Sequence, residues 1–118
     1  MEKVLIALPL TGEYLTTVRL TTGGLCSLVG FDVEETEDFK VCVTESLLIL
    51  KRNGYTRASI CFSVSEKLGC TITGEAYNGV KENELEDEIS RALLSALLGK
   101  VEFIDDQDGK IASIVFEG

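Results

Sequence analysis

One carboxylate, Glu45, lies inside the otherwise apolar helical run VTESLLILKRN, Val43 to Asn53. An isolated charge in an apolar setting is costly, so such a glutamate has a partner, a water-filled cleft or a catalytic role. The residue one helical turn later is Ile49, whose side chain carries no donor or acceptor to share that role. The chain has four cysteines, Cys26, Cys42, Cys61 and Cys70, with no Cys-x-x-Cys pair and no histidine. That set does not suit zinc, and it reads as free buried thiols in a reducing cytosol.

The elements that must position Glu45 belong to a chain of 118 residues with 45% apolar content, which fits one compact domain spanning 1–118 with a real core. The formal charge of −9, from 20 acidic and 11 basic residues, repels phosphate backbones and anionic headgroups. Nucleic acid and membrane are therefore not expected as partners, while a basic protein surface would be attracted. The N-terminal run MEKVLIALPL is too short to span a bilayer and has no small-residue cleavage site, so it reads as a first strand and the protein as cytoplasmic.

A strand is expected at about Lys3–Leu10. Thr11 then caps a helix running to about Val29 and stopped near Gly30, with Gly23-Gly24 expected to weaken or bend its second half. Asp32 and Glu35 have the spacing of a capping box. Beyond them Phe39, Val43, Ser46, Leu47 and Leu50 recur at helical spacing until Asn53-Gly54.

In the segment SICFSVSEKLGCTITGE, Ile60, Phe62 and Val64 alternate with small polar residues, as in a half-buried strand. A three-residue loop at Ser65-Glu66-Lys67 sets Val64 opposite Leu68, Phe62 opposite Cys70 and Ile60 opposite Ile72. Cys61 then points away from Cys70, against a disulfide between them. The outer face, with Ser59, Cys61, Ser63, Thr71 and Thr73, holds no large apolar patch. A third helix is signalled by Asn83 and Glu86, with Leu85, Ile89, Ala92, Leu93, Ala96 and Leu97 on one face and Gly99 at its end. A last hairpin with an Asp108-Gly109 turn pairs Phe103 with Ile114 and Val101 with Phe116. The order β-α-α-β-β-α-β-β predicts an α+β two-layer sandwich, about five strands with three helices on one face.

The stretch EYLTTVRLTTGGLCSLVGFDVEETEDFKVCVTESLLILKRNGY, Glu13 to Tyr55, followed by the hairpin above, resembles the anti-sigma-factor serine kinases of the GHKL, or Bergerat-fold, ATP-binding superfamily. The first helix carries a V-R-L-T-like stretch at Val18–Thr21. The second contains E-D-F-K-x-x-V-T-E-S, close to the family's E-D-L-K-x-x-V-S-E-A. The resemblance implies a HATPase-like domain over nearly the whole chain, with its specific part in the first 75 residues.

The family's devices can be compared position by position. The glutamate matching Glu45 is the general base on a substrate serine, and an asparagine one turn later ligates Mg²⁺. Here that position is Ile49, which offers no oxygen to a hard cation. The Asp-x-Gly-x-Gly motif that holds adenine matches Gly74-Glu75-Ala76-Tyr77-Asn78, with glycine for the aspartate and alanine for the first glycine. Glu75 is a poor substitute, since a neighbouring strand residue points to the opposite face. The lid and Gly-x-Gly region matches YNGVKENELEDEISRA, whose Glu82, Glu84, Glu86, Asp87 and Glu88 would repel a triphosphate.

The resemblance therefore implies a degenerate member that has lost catalysis, with Glu45 vestigial or recruited to a local hydrogen bond, and with no cofactor and no metal. Its expected function is anti-sigma-factor-like regulation by protein binding in transcription or stress control. The expected partner is a sigma factor or anti-anti-sigma factor in a partner-switching cascade, with Tyr14 and Arg19 of the first helix as partner-binding residues. A homodimer is also compatible with the resemblance. The alternative is an active ATP- and Mg²⁺-dependent serine kinase with a rebuilt pocket.

Overall fold

The computed structural model describes residues 1–77, 84–98, 100–106 and 110–118. Eight elements follow in the expected order: β1 (Glu2–Pro9), α1 (Gly12–Leu28), α2 (Val33–Arg52), β2 (Tyr55–Val64), β3 (Leu68–Tyr77), α3 (Glu84–Leu98), β4 (Val101–Asp105) and β5 (Ile111–Glu117). The strands form one antiparallel sheet in the order β1-β2-β3-β5-β4. The helices cover one of its faces, giving an α+β two-layer sandwich.

The register follows the alternation of large side chains. Val64 pairs with Leu68, Phe62 with Cys70 and Ile60 with Ile72, while Phe103 pairs with Ile114 and Val101 with Phe116. A slip of one residue would turn every one of these side chains to the outer face, so the apolar set fixes the pairing. Cys61 pairs with Thr71 and Cys70 with Phe62, and all four cysteines are free. The Asp108-Gly109 turn, the Asn83 cap, Asn78 and Gly99 lie outside the described residues.

Helix α2 is the centre of the core. Its capping box is complete: Glu35 N–H donates to Asp32 Oδ1 at 2.8 Å and Asp32 N–H to Glu35 Oε1 at 3.1 Å. Phe39, Val43, Leu47, Ile49 and Leu50 are buried, and the Phe39 ring meets Phe31 and Phe116 edge-on at 5.8 and 5.3 Å. Glycine with positive φ follows each of the first two helices, at Gly30 (78°) and Gly54 (99°), where a side chain would strain the reversal.

Helix α1 departs from expectation in two ways. Thr11 occupies the N-cap position but its side chain makes no capping bond; its hydroxyl instead donates to Glu13 Oε1 at 3.4 Å. Gly23-Gly24 does not interrupt the helix. A Cβ at Gly23 would stand 2.8 Å from Lys40 Cε, so the missing side chain lets the Lys40 stem of α2 lie across α1.

Candidate functional site

Glu45 lies on the side of α2 that faces α3, and its side chain is 25% exposed. Its Oε2 accepts a hydrogen bond from the Ser90 hydroxyl at 2.7 Å and stands 3.9 Å from Arg52 Nη2. The Arg52 guanidinium is only 13% exposed and fills the seam between the helices. Its Nη1 bonds Asp87 Oδ1 at 3.2 Å, both terminal nitrogens bond Ser90 Oγ at 3.2 and 3.0 Å, and Nε lies 3.7 Å from Glu86 Oε2. A long cation can be withdrawn from water only if its donors are met, and here Asp87 and Ser90 of α3 meet them.

The network continues through Asn53, which caps the C-terminus of α2 and is fully buried. Its Nδ2 donates to Ile49 O at 2.7 Å and to Asp87 Oδ2 at 2.9 Å, and its Oδ1 accepts from Ile111 N–H at 3.3 Å. Asp87 thus uses one oxygen for Arg52 and the other for Asn53. Both carboxylate oxygens are occupied, and α2, α3 and β5 are tied at one point.

Ile49 is fully buried, so the helical turn after Glu45 presents packing and no ligand. At the other motif, a Cβ on Gly74 would fall 2.5 Å from Tyr55 Cγ, because the Tyr55 ring lies directly against that strand. Tyr55 is 9% exposed, packs on Tyr77 with ring centres 5.6 Å apart, and its hydroxyl donates to Asp106 Oδ2 at 3.5 Å. Burial, and then the Asp106 carboxylate, push the phenol up from its ordinary value. Glu75 is exposed, and the next residue, Ala76, holds φ of 56°, the left-handed conformation a glycine takes freely.

The other candidates are separate from this seam. Tyr14 is 42% exposed and Arg19 is exposed, both on α1, but five residues place them about 140° apart around the helix, so they do not share a face. Burial pushes the Cys26 thiol up to about 11 and the Cys42 thiol to about 12, the latter aided by the Asp38 and Glu45 carboxylates. Such thiols are inert at neutral pH. Among the described residues no cluster of acidic or cysteine side chains is placed to hold a metal ion, and no helix is long and apolar enough to cross a membrane.

Sequence reasoning allowed Glu45 a local hydrogen bond but missed Ser90, Asp87 and the bridging role of Asn53. The available signal was the Asp87/Ser90 pair, three apart and therefore on one side of α3. It was outweighed by the apolar residues around it.

Comparison with known proteins adds a relationship to this geometry. The serine-protein kinases RsbW of Bacillus thuringiensis (strain Al Hakam), Bacillus mycoides (strain KBAB4) and Bacillus cereus (strain B4264) are each 30% identical to it over 54 residues. This chain is similar to RsbW serine-protein kinases. The match takes in 46% of this chain and 34% of each kinase, so the chain spans about a third of the length of the curated relatives it matches. No protein-family model matches it. Glu45 itself is surrounded by charge. Within the seam it accepts from Ser90 and faces Arg52, around which Glu45, Glu86 and Asp87 place three carboxylates against one guanidinium. That excess of negative charge opposes the approach of a phosphate.

Proposed function

We propose that this protein is an anti-sigma-factor-like regulator that acts by binding another protein, in transcription or stress control, and does not transfer phosphate. The observation that carries this reading is Ile49: it is fully buried one turn after Glu45, where the kinase resemblance calls for a metal-binding asparagine. The Tyr55 ring against Gly74 supports it, since it takes the space beside the strand position that the resemblance assigns to adenine recognition. The similarity to RsbW kinases supports descent from a signalling kinase.

In this reading Glu45 is a hydrogen-bond acceptor that fixes Ser90 and Arg52, no nucleotide or metal is bound, and the partner is a sigma factor or an anti-anti-sigma factor. Tyr14 and Arg19 are the proposed contacts on α1, each available from solvent on its own face. The similarity to serine-protein kinases favours a second reading, an active serine kinase with a rebuilt pocket.

Isothermal titration of the protein with ATP and ADP, with and without Mg²⁺, separates the two. The expected result is no saturable heat up to about 1 mM nucleotide, for the protein and for Glu45→Gln alike. Mg²⁺-dependent binding near about 1 μM that Glu45→Gln alters would replace this reading with the kinase.

A further inference from the structure

Helix α3 turns its greasiest side away from the core. Taking 100° per residue from Leu85, the residues Leu85, Ile89, Ala92, Leu93 and Ala96 fall within an arc of about 100°. All five are exposed, Leu85 at 70%, Ile89 at 61% and Leu93 at 37%. Asp87, Ser90 and Leu94, which are buried, lie on the opposite side of the helix. The stripe continues onto α2 through half-buried Leu48, and a groove of about 230 Å³ runs between Leu48, Ile89 and Leu93 with Glu45 and Glu86 on its walls.

The charge around this stripe is acidic in excess. Glu86 and Glu88 are exposed and flank it on either side, and Glu45 adds a third carboxylate at the groove. Arg52 also lines the groove but is outnumbered there, facing Glu45 at 3.9 Å and Glu86 at 3.7 Å as well as Asp87; Arg91 lies over the Phe103 ring at 5.2 Å, and exposed Lys51 follows Leu48 by one turn of α2. A second copy of this chain would bring its own −9 charge and its own acidic flanks against these. This charge points to a small basic ligand surface.

We propose that the outer face of α3, with Leu48 of α2, is a docking groove for a basic amphipathic helix of another protein. Its apolar side covers Leu85, Ile89 and Leu93, and its lysines or arginines meet the exposed carboxylates Glu86 and Glu88 on either flank. The groove is distinct from Tyr14 and Arg19 on α1, and it does not depend on the partner being a transcription factor.

The test is fluorescence anisotropy of the full chain with a labelled helix-forming peptide of about 18 residues, carrying leucine on one face and lysine beside it. A matched peptide with glutamate in place of lysine is the comparison. Binding of the lysine peptide is expected to weaken at least about tenfold with Ile89→Ser or Leu85→Ser, and similarly between about 50 and about 300 mM salt. Leu20→Ser, on the exposed face of α1, is expected to leave it unchanged. Both stripe residues are exposed, and circular dichroism of each variant verifies that the fold is kept. Equal binding of the two peptides, indifference to both stripe variants, or absence of binding would overturn the proposal. So would a dimer in sedimentation that Ile89→Ser dissolves, since it would assign the stripe to a second copy. The nucleotide titration bears on a different reading, and either can fail alone.

Discussion

Helix α2 makes two contacts of opposite character. Toward the sheet it presents Phe39, Val43, Leu47 and Leu50, all buried among Ile60, Phe62, Ile72 and Ile114. Toward α3 it presents Glu45, Arg52 and Asn53, which meet Asp87 and Ser90 through hydrogen bonds of 2.7 to 3.2 Å. The apolar contact is tolerant of position, because dispersion and water exclusion are non-directional. The polar contact is not, because each donor withdrawn from water must find one acceptor in one direction. The sheet contact thus supplies cohesion and the seam supplies the placement of α3.

The largest expected effect would break that contrast if it failed. Asp87→Ala leaves both Arg52 and Asn53 short of an acceptor and is expected to cost about 3–5 kcal/mol. Ile49→Ala, on the apolar side, is expected to cost about 2–5 kcal/mol. Urea denaturation measures both. An Asp87→Ala cost under about 1 kcal/mol would mean that the seam is wet and that only the apolar layer holds the helices.

A smaller effect separates the layers by pH. Burial pushes the native Cys42 thiol up to about 12 and the Cys26 thiol up to about 11, from the ordinary value of 9.0 that the unfolded chain keeps. The unfolded chain therefore releases these protons first, so stability present below about pH 9 is lost as the pH rises toward 11 to 12. Cys70 and Tyr55 shift in the same direction and add to the loss. Thermal melts from pH 7 to pH 11 test this, and Cys42→Ala with Cys26→Ala is expected to flatten the alkaline decline. An undiminished decline in that double variant would place its origin outside these two thiols.

The smallest effect concerns the end of β3. Ala76 holds φ of 56°, which costs a non-glycine residue on the order of 1–2 kcal/mol. Part of this is offset by the lower freedom of alanine in the unfolded chain. Ala76→Gly is expected to stabilise by up to about 1 kcal/mol, read as a rise in melting temperature. A fall would show that this strand end is held by the alanine methyl.

Much of the architecture was legible because it depends on local chemistry. The Asp32/Glu35 capping box, Gly30, Gly54 and the alternation in β2 and β3 act within a few residues, and the structure contains each of them. The Thr11 cap was legible as a position but not as a bond, since its hydroxyl turns to Glu13. Gly23 was read as a weakness because the sequence does not disclose that Lys40 would lie over it. At the site, Glu45 and its unsuited neighbour Ile49 were visible, while Ser90, Asp87 and Asn53 as a connected set were not.

The sequence by itself determined the elements, their order, the strand register and the absence of a polar group one turn after Glu45, because those follow from residue type at fixed local spacing. Which side of α3 faces inward was decided only by the tertiary structure. Periodicity marks Leu85, Ile89 and Leu93 as the side to bury, yet the residues buried are Asp87, Ser90 and Leu94. The physical reason lies in the end of α2: Arg52 and Asn53 are withdrawn from water there, and their donors must be met by acceptors that only the polar side of α3 supplies.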